Sequence, residues 1–188
     1  MIDIKHYAQK AHEAAKAKGW WDEPSSMPTL KALIISELCE ALEADRIGRH
    51  ANVAYFKHRL TEIENSINSP VQNEVLLQHY KTLFKSHIKD STADELADAA
   101  IRILDVLGWN KKFFDGFTVL PYLDHEQFSE NIYDIISEVV ESRGAMFLSK
   151  PLRYIEALAE QLNIDLIWHI EAKLRYNELR QRKHGKSY

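Results

Sequence analysis

Residues 93–107 read Ala-Asp-Glu-Leu-Ala-Asp-Ala-Ala-Ile-Arg-Ile-Leu-Asp-Val-Leu. At 100° per residue the apolar members cover most of a helix circumference, which is the pattern of a helix buried on nearly all sides. Apart from Asp94 in the first turn, only Glu95, Asp98, Arg102 and Asp105 are left over, and they collapse into one narrow strip. Ser91 or Thr92 suits the N-cap, with Asp94 and Glu95 in the first turn, and Gly108 marks the end. Glu95 and Asp98, three residues apart, lie on one face a turn from each other, and Asp98 and Arg102 are spaced to pair as neighbours on an exposed strip.

Upstream, residues 28–49 repeat the theme. Leu30, Leu33, Ile34, Leu38, Ala41 and Leu42 follow the i, i+3, i+4 rhythm of a buried stripe. Glu37 falls inside that stripe, Glu40 on its edge and Glu43 toward solvent. A buried carboxylate needs a partner, either an arginine or a bound cation. Two helices therefore each carry an acidic pair at i, i+3. Packed together they would present Glu37, Glu40, Glu95 and Asp98 to one space, where four acids stay ionised only beside compensating charge. Oxygen-only ligands suit Mg²⁺ or Mn²⁺ rather than zinc. A di-iron bundle would need Glu-x-x-His pairs, which this sequence lacks.

The rest of the chain is also helical in period. Helices are expected at 2–18, 51–67, 71–88, 129–148, 151–162 and 165–182, split at Gly19, Asn68-Ser69-Pro70 and Lys150-Pro151. Residues 109–128 read as an aromatic connector and KHGKSY at the end as non-helical. With 188 residues, six glycines, five prolines and no alternating strand pattern, the chain is expected to be a single all-α domain, a helical bundle over 1–188. Its 45% apolar and 28% charged residues are those of a globular protein, and a net charge of −4 gives no general affinity for nucleic-acid polymers. The lone Cys39 excludes an internal disulfide or zinc cluster. The first residues lack a signal-peptide apolar core, and no stretch reaches the roughly 18 apolar residues of a membrane span. A cytoplasmic protein without a membrane partner is expected.

The basic residues gather at one end, where residues 173–188 hold six Lys or Arg and one acid. Lys173, Asn177, Arg180 and His184 share a face if the helix persists, and could form a phosphate rail that Lys186 extends. A solvated basic face at a helix C-terminus has the same spacing. Trp20 and Trp21, in Gly-Trp-Trp-Asp at 19–22, are placed either to stack on a base or simply to be buried.

Ser-Glu-Leu-Cys-Glu-Ala-Leu-Glu-Ala-Asp-Arg at 36–46, followed by Asp-Glu-Leu-Ala-Asp at 94–98, resembles the MazG-like members of the all-α nucleoside triphosphate pyrophosphatase superfamily, whose motif is EExxE followed by ExxD. Glu37 and Glu40 match the second and last acids of the first motif, and Glu95 and Asp98 match the second. Ser36 stands where the first acid would be. The ending at 173–188 is similar to the family's K-x-x-x-N-x-x-R…HGK ending, and Gly-Trp-Trp-Asp to its aromatic segment near the base. The resemblance covers roughly half the chain, with extra helices at about 51–88 and 129–162. It implies Mg²⁺-dependent hydrolysis of a nucleoside triphosphate to monophosphate and pyrophosphate, by a homodimer or higher homo-oligomer. Glu37, Glu40, Glu95 and Asp98 would hold the metal, and Glu40 could also take the water's proton. Lys173, Asn177, Arg180 and Lys186 would face phosphate and Trp20 and Trp21 the base. A dUTPase or phosphoribosyl-ATP pyrophosphatase of the same superfamily, and a catalytically silent helical module, remain open alternatives.

Overall fold

A computed structural model describes residues 1–23, 25–66 and 73–185. Among them are eight α-helices and no strand: α1 (Ile4–Ala17), α2 (Met27–Arg46), α3 (Val53–Ser66), α4 (Asn73–His87), α5 (Thr92–Asn110), α6 (Phe128–Glu141), α7 (Ser149–Gln161) and α8 (Leu166–Glu178). None is long and apolar enough to cross a membrane. The split expected at Asn68-Ser69-Pro70 lies outside the described residues.

The apolar circumference of α5 has the consequence its sequence requires. α5 is the axial helix, packed against α1, α2, α7 and α8, with α6 closing on α2 and α7. Leu96, Ala97, Ala99, Ala100, Ile103, Leu104 and Leu107 are wholly buried, facing Ile34 and Leu38 of α2 and Ile155 and Ile170 of α7 and α8 within one core. Ser91, not Thr92, caps α5: its Oγ accepts from the Asp94 amide at 3.2 Å. Asp165 caps α8 in the same way, accepting from Trp168 N. Pro28 sits in the first turn of α2, where its missing N–H costs nothing.

Three expected boundaries are corrected. Gly108 lies inside α5, which runs on to Asn110 and stops at Lys111 in the left-handed region (φ 58°). A Cβ at 108 would meet the Ala8 carbonyl oxygen at 2.3 Å, so this glycine permits the close approach of α1 to α5 rather than ending a helix. The helix expected over 129–148 ends at Glu141, and a 3-10 turn over Ala145–Leu148 leads directly into α7, with Pro151 in that helix's first turn. α8 stops at Glu178 instead of near 182, and Arg182–Gly185 forms a 3-10 turn where no helix is expected.

α3 and α4 lean on α8 through a second cluster. Phe56, Tyr80 and Phe84 pack on Ala172 and Tyr176, and the Tyr80 hydroxyl donates to the Ala172 carbonyl at 2.8 Å. α3 and α4 thus buttress the outer side of α8.

The segment after α8 folds back on the end of α1. Lys18 Nζ donates to the carbonyls of Glu178 and Arg180, Lys183 N donates to the Lys18 carbonyl at 2.9 Å, and Arg182 pairs with Asp22. Gly19 suits this junction because its φ of +79° lies in the left-handed region that side chains rarely adopt.

Candidate functional site

The fold leaves an open cavity of about 1350 Å³ between α1, α2, α5, the end of α8 and the Gly-Trp-Trp-Asp loop. The polar strip of α5 runs along its floor, so it faces this cleft rather than bulk solvent. Helical rise sets the layout: Glu95 and Asp105 stand ten residues, or about 15 Å, apart along one helix. One end of the cavity is acidic and the other aromatic.

At the acidic end, Glu37, Glu95 and Asp98 each offer a carboxylate oxygen within 4.8 Å of the others. The environments of the three differ. Arg102 Nε donates to Glu37 Oε1 at 2.5 Å, and Lys173 Nζ lies 2.7 Å from Asp98 Oδ2. Glu95 is 3% exposed and has no hydrogen bond or ion pair among the described residues. Burial first, and then the charges of Asp98, Asp94 and Glu37, push its carboxyl up to about 9, against the opposing pull of Lys173. Burial and Asp98 also raise Glu37, with Arg102 opposing. The expected Asp98–Arg102 pairing within α5 is not formed: Arg102 crosses to α2, and Asp98 is taken by Lys173 of α8.

Sequence reasoning missed Asp94. It has the look of a first-turn residue beside its cap, yet it is fully buried, accepting from Lys173 Nζ at 2.6 Å and from Asp90 N at 3.0 Å. Burial first, together with Asp98, raises it to about 6 despite Lys173. For Lys173, burial disfavours the charge, but Asp98, Asp94 and Glu95 outweigh it and push the ammonium upward. Lys173 therefore stands beneath the acids instead of lying along a phosphate rail.

Glu40 is exposed at the cavity wall, outside the close trio, and accepts from the Ser36 hydroxyl at 3.4 Å. Ser36 is itself exposed. Asn177 and Arg180 also line the cavity. Arg180 reaches it from beyond the end of α8, where its Nη1 donates to Asn177 Oδ1 at 3.4 Å. Lys186 lies outside the described residues.

At the aromatic end Trp20 and Trp21 both line the wall. Trp21 is held firmly: its Nε1 donates to Asp105 at 2.8 Å, and its ring stacks on Trp109 with centroids 5.3 Å apart. His12 Nδ1 lies 2.8 Å from the same Asp105 oxygen. Burial raises the Asp105 carboxyl, with the bonds from His12 and Trp21 opposing. No sequence signal singled out His12 or Trp109, because their partners come from different helices.

Comparison of the chain with protein-family models, curated proteins and solved structures gives no match.

The donor set fits a hard divalent cation. Every candidate ligand is a carboxylate oxygen, as Mg²⁺ and Mn²⁺ prefer. Glu95 supplies the independent observation: it is 3% exposed, lines the cavity and makes no hydrogen bond or ion pair among the described residues, as a group reserved for a ligand would.

Proposed function

We propose that this chain is a MazG-like nucleoside triphosphate pyrophosphatase, a hydrolase of acid anhydrides that converts (d)NTP to (d)NMP and pyrophosphate with Mg²⁺, or with Mn²⁺ in its place. The observation that carries the reading is Glu95, buried and unpartnered beside Glu37 and Asp98 at the end of a cavity large enough for a nucleotide. Ligand clefts commonly measure about 300–1,000 Å³, so this one has room for more than an ion.

In this reading Glu37, Glu95 and Asp98 hold the ion. Bound there, it supplies Lewis-acid charge for the polyphosphate. Arg102 holds Glu37 in place from the side. Glu40, exposed at the rim, accepts the proton of the attacking water. Asn177, Arg180 and Lys186 bind the outer phosphates, and Trp20 with Trp21 makes the wall against which a base stacks. Glu40 is thus set apart from the metal ligands that the family motif groups it with, because it is exposed and absent from the trio. The resemblance adds a homodimer or higher homo-oligomer, and the single free Cys39 suits a reducing, cytoplasmic compartment.

The test is a panel of all common dNTPs and NTPs with Mg²⁺, assayed for pyrophosphate. Release from at least one, abolished by chelation, is expected, and the preferred base separates a dUTPase from a broader enzyme. No release from any nucleotide would return the protein to the silent-module reading. Light scattering at micromolar concentration tests the dimer, and a monomer would contradict it.

A further inference from the structure

We propose that Lys173, held by Asp94, permanently occupies one cation position of the acidic centre, so that the centre takes one divalent ion rather than two. This rests on the metal-binding reading above and goes beyond it, fixing the number of ions and assigning Lys173 and Asp94 a role.

Two overlapping groups of carboxylates have metal-like spacing: Glu37, Glu95 and Asp98, and next to them Asp90, Asp94 and Glu95. They share Glu95. An internal cation bridges the two groups, touching Asp94 of the second and Asp98 of the first. Lys173 Nζ lies 2.6 Å from Asp94 Oδ2 and 2.7 Å from Asp98 Oδ2, and the lysine is 3% exposed. Asp90 is separately engaged with Lys89 and Arg49. The fully buried Asp94 has an oxygen, Oδ1, that finds no hydrogen-bond partner among the described residues.

Charge accounting leads to the same count. Glu37, Asp94, Glu95 and Asp98 face Lys173 and Arg102. With all six ionised, an excess of two negative charges remains, which one divalent ion balances. A second ion would leave buried positive charge uncompensated. The position of Lys173 is also rigid. Tyr80 and Phe84 of α4 pack against Ala172 and Tyr176 of α8, and Lys173 Nζ itself lies 5.8 Å from the Phe84 ring centre. Asp94 is a positioning residue here, touching the lysine and no substrate.

The experiment is an equilibrium titration of the full chain with Mn²⁺ alone, reading free ion by electron paramagnetic resonance, for wild type, Lys173→Met and Glu95→Gln. Circular dichroism establishes that each variant is folded. Wild type is expected to bind one Mn²⁺ per chain and Lys173→Met two, with the Glu95→Gln site lost or weakened at least tenfold. Two ions of comparable affinity in wild type would overturn the proposal while leaving the metal reading intact. So would a folded Lys173→Met that binds one ion with unchanged affinity. Should Lys173→Met not fold, the wild-type count still decides between one ion and two. No Mn²⁺ bound by wild type would overturn the metal reading itself.

Discussion

Among the described residues two buried charge clusters stand out, and they are built on opposite terms. Near the start of the chain, Arg153 of α7 is 2% exposed and fully engaged. Its Nη1 donates to the Ile2 carbonyl and to Glu156, and its Nε to Asp115, while the Ile2 amide donates to Glu156. Each carboxylate there has a donor. The cluster clamps the chain start and the connector onto α7 and does not line the cavity. In the cavity, Glu37, Asp94, Glu95 and Asp98 outnumber Lys173 and Arg102, and Glu95 has no partner among the described residues. Burial alone does not distinguish a structural cluster from a site. Pairing does: in the first cluster every carboxylate has a donor, and in the second Glu95 has none among the described residues.

The largest stability effect is expected from breaking the closed cluster. Arg153→Ala takes the guanidinium away from buried Glu156 and from Asp115 and should cost about 3–5 kcal/mol, read by chemical denaturation. The site should respond with the opposite sign. Glu95→Gln removes a group that must take up a proton to stay buried, so the metal-free protein should become more stable by on the order of 2 kcal/mol at pH 7. Its Mg²⁺-dependent turnover should fall at least about 100-fold, since even indirect partners of metal ligands cost 10–100-fold.

The same imbalance sets a pH dependence. Glu95 is raised from 4.5 to about 9 in the fold, so the native state holds a proton that the unfolded chain releases. Metal-free stability should therefore be highest near pH 5 and fall as pH rises toward 9. Asp94 and Glu37 are also raised and add to the fall, whereas Lys173 stays charged across the window and contributes no slope. Glu95→Gln should flatten the profile, and a wild-type melting temperature that climbs from pH 5 to 9 would contradict the assignment. The smallest stability effect is expected at Glu40. Glu40→Ala removes an exposed side chain and should change stability by no more than about 0.5 kcal/mol. It should nonetheless lower kcat by about 10²–10⁴-fold if Glu40 takes the proton.

Much of this was readable in the sequence, for a physical reason. Angles within a helix follow from spacing alone, so the burial of α5 and of Glu37, and the shared face of Glu95 and Asp98, could be read directly. Contacts between helices do not follow from spacing. Arg102 looks like a partner for Asp98 and pairs with Glu37. Lys173 looks like a phosphate ligand because of its basic surroundings, yet it is spent on Asp94 and Asp98. Asp94 reads as a solvated first-turn acid, and only the packing of α8 on α5 buries it. Gly108 reads as a helix stop because the neighbouring α1 backbone, 100 residues earlier at Ala8, leaves no trace in local sequence.

The central claim is that the unpartnered carboxyl of Glu95 marks a site completed by a divalent ion with a triphosphate. The direct measurement is the thermal melting of wild type and Glu95→Gln at pH 8, with and without Mg²⁺ and a non-hydrolysable dNTP. A ligand at a hundred times its Kd stabilises the native state by about 2.7 kcal/mol. Wild type should gain stability of that order, and Glu95→Gln, more stable at the outset, should gain little. Equal shifts in the two proteins, or none in wild type, would contradict the claim.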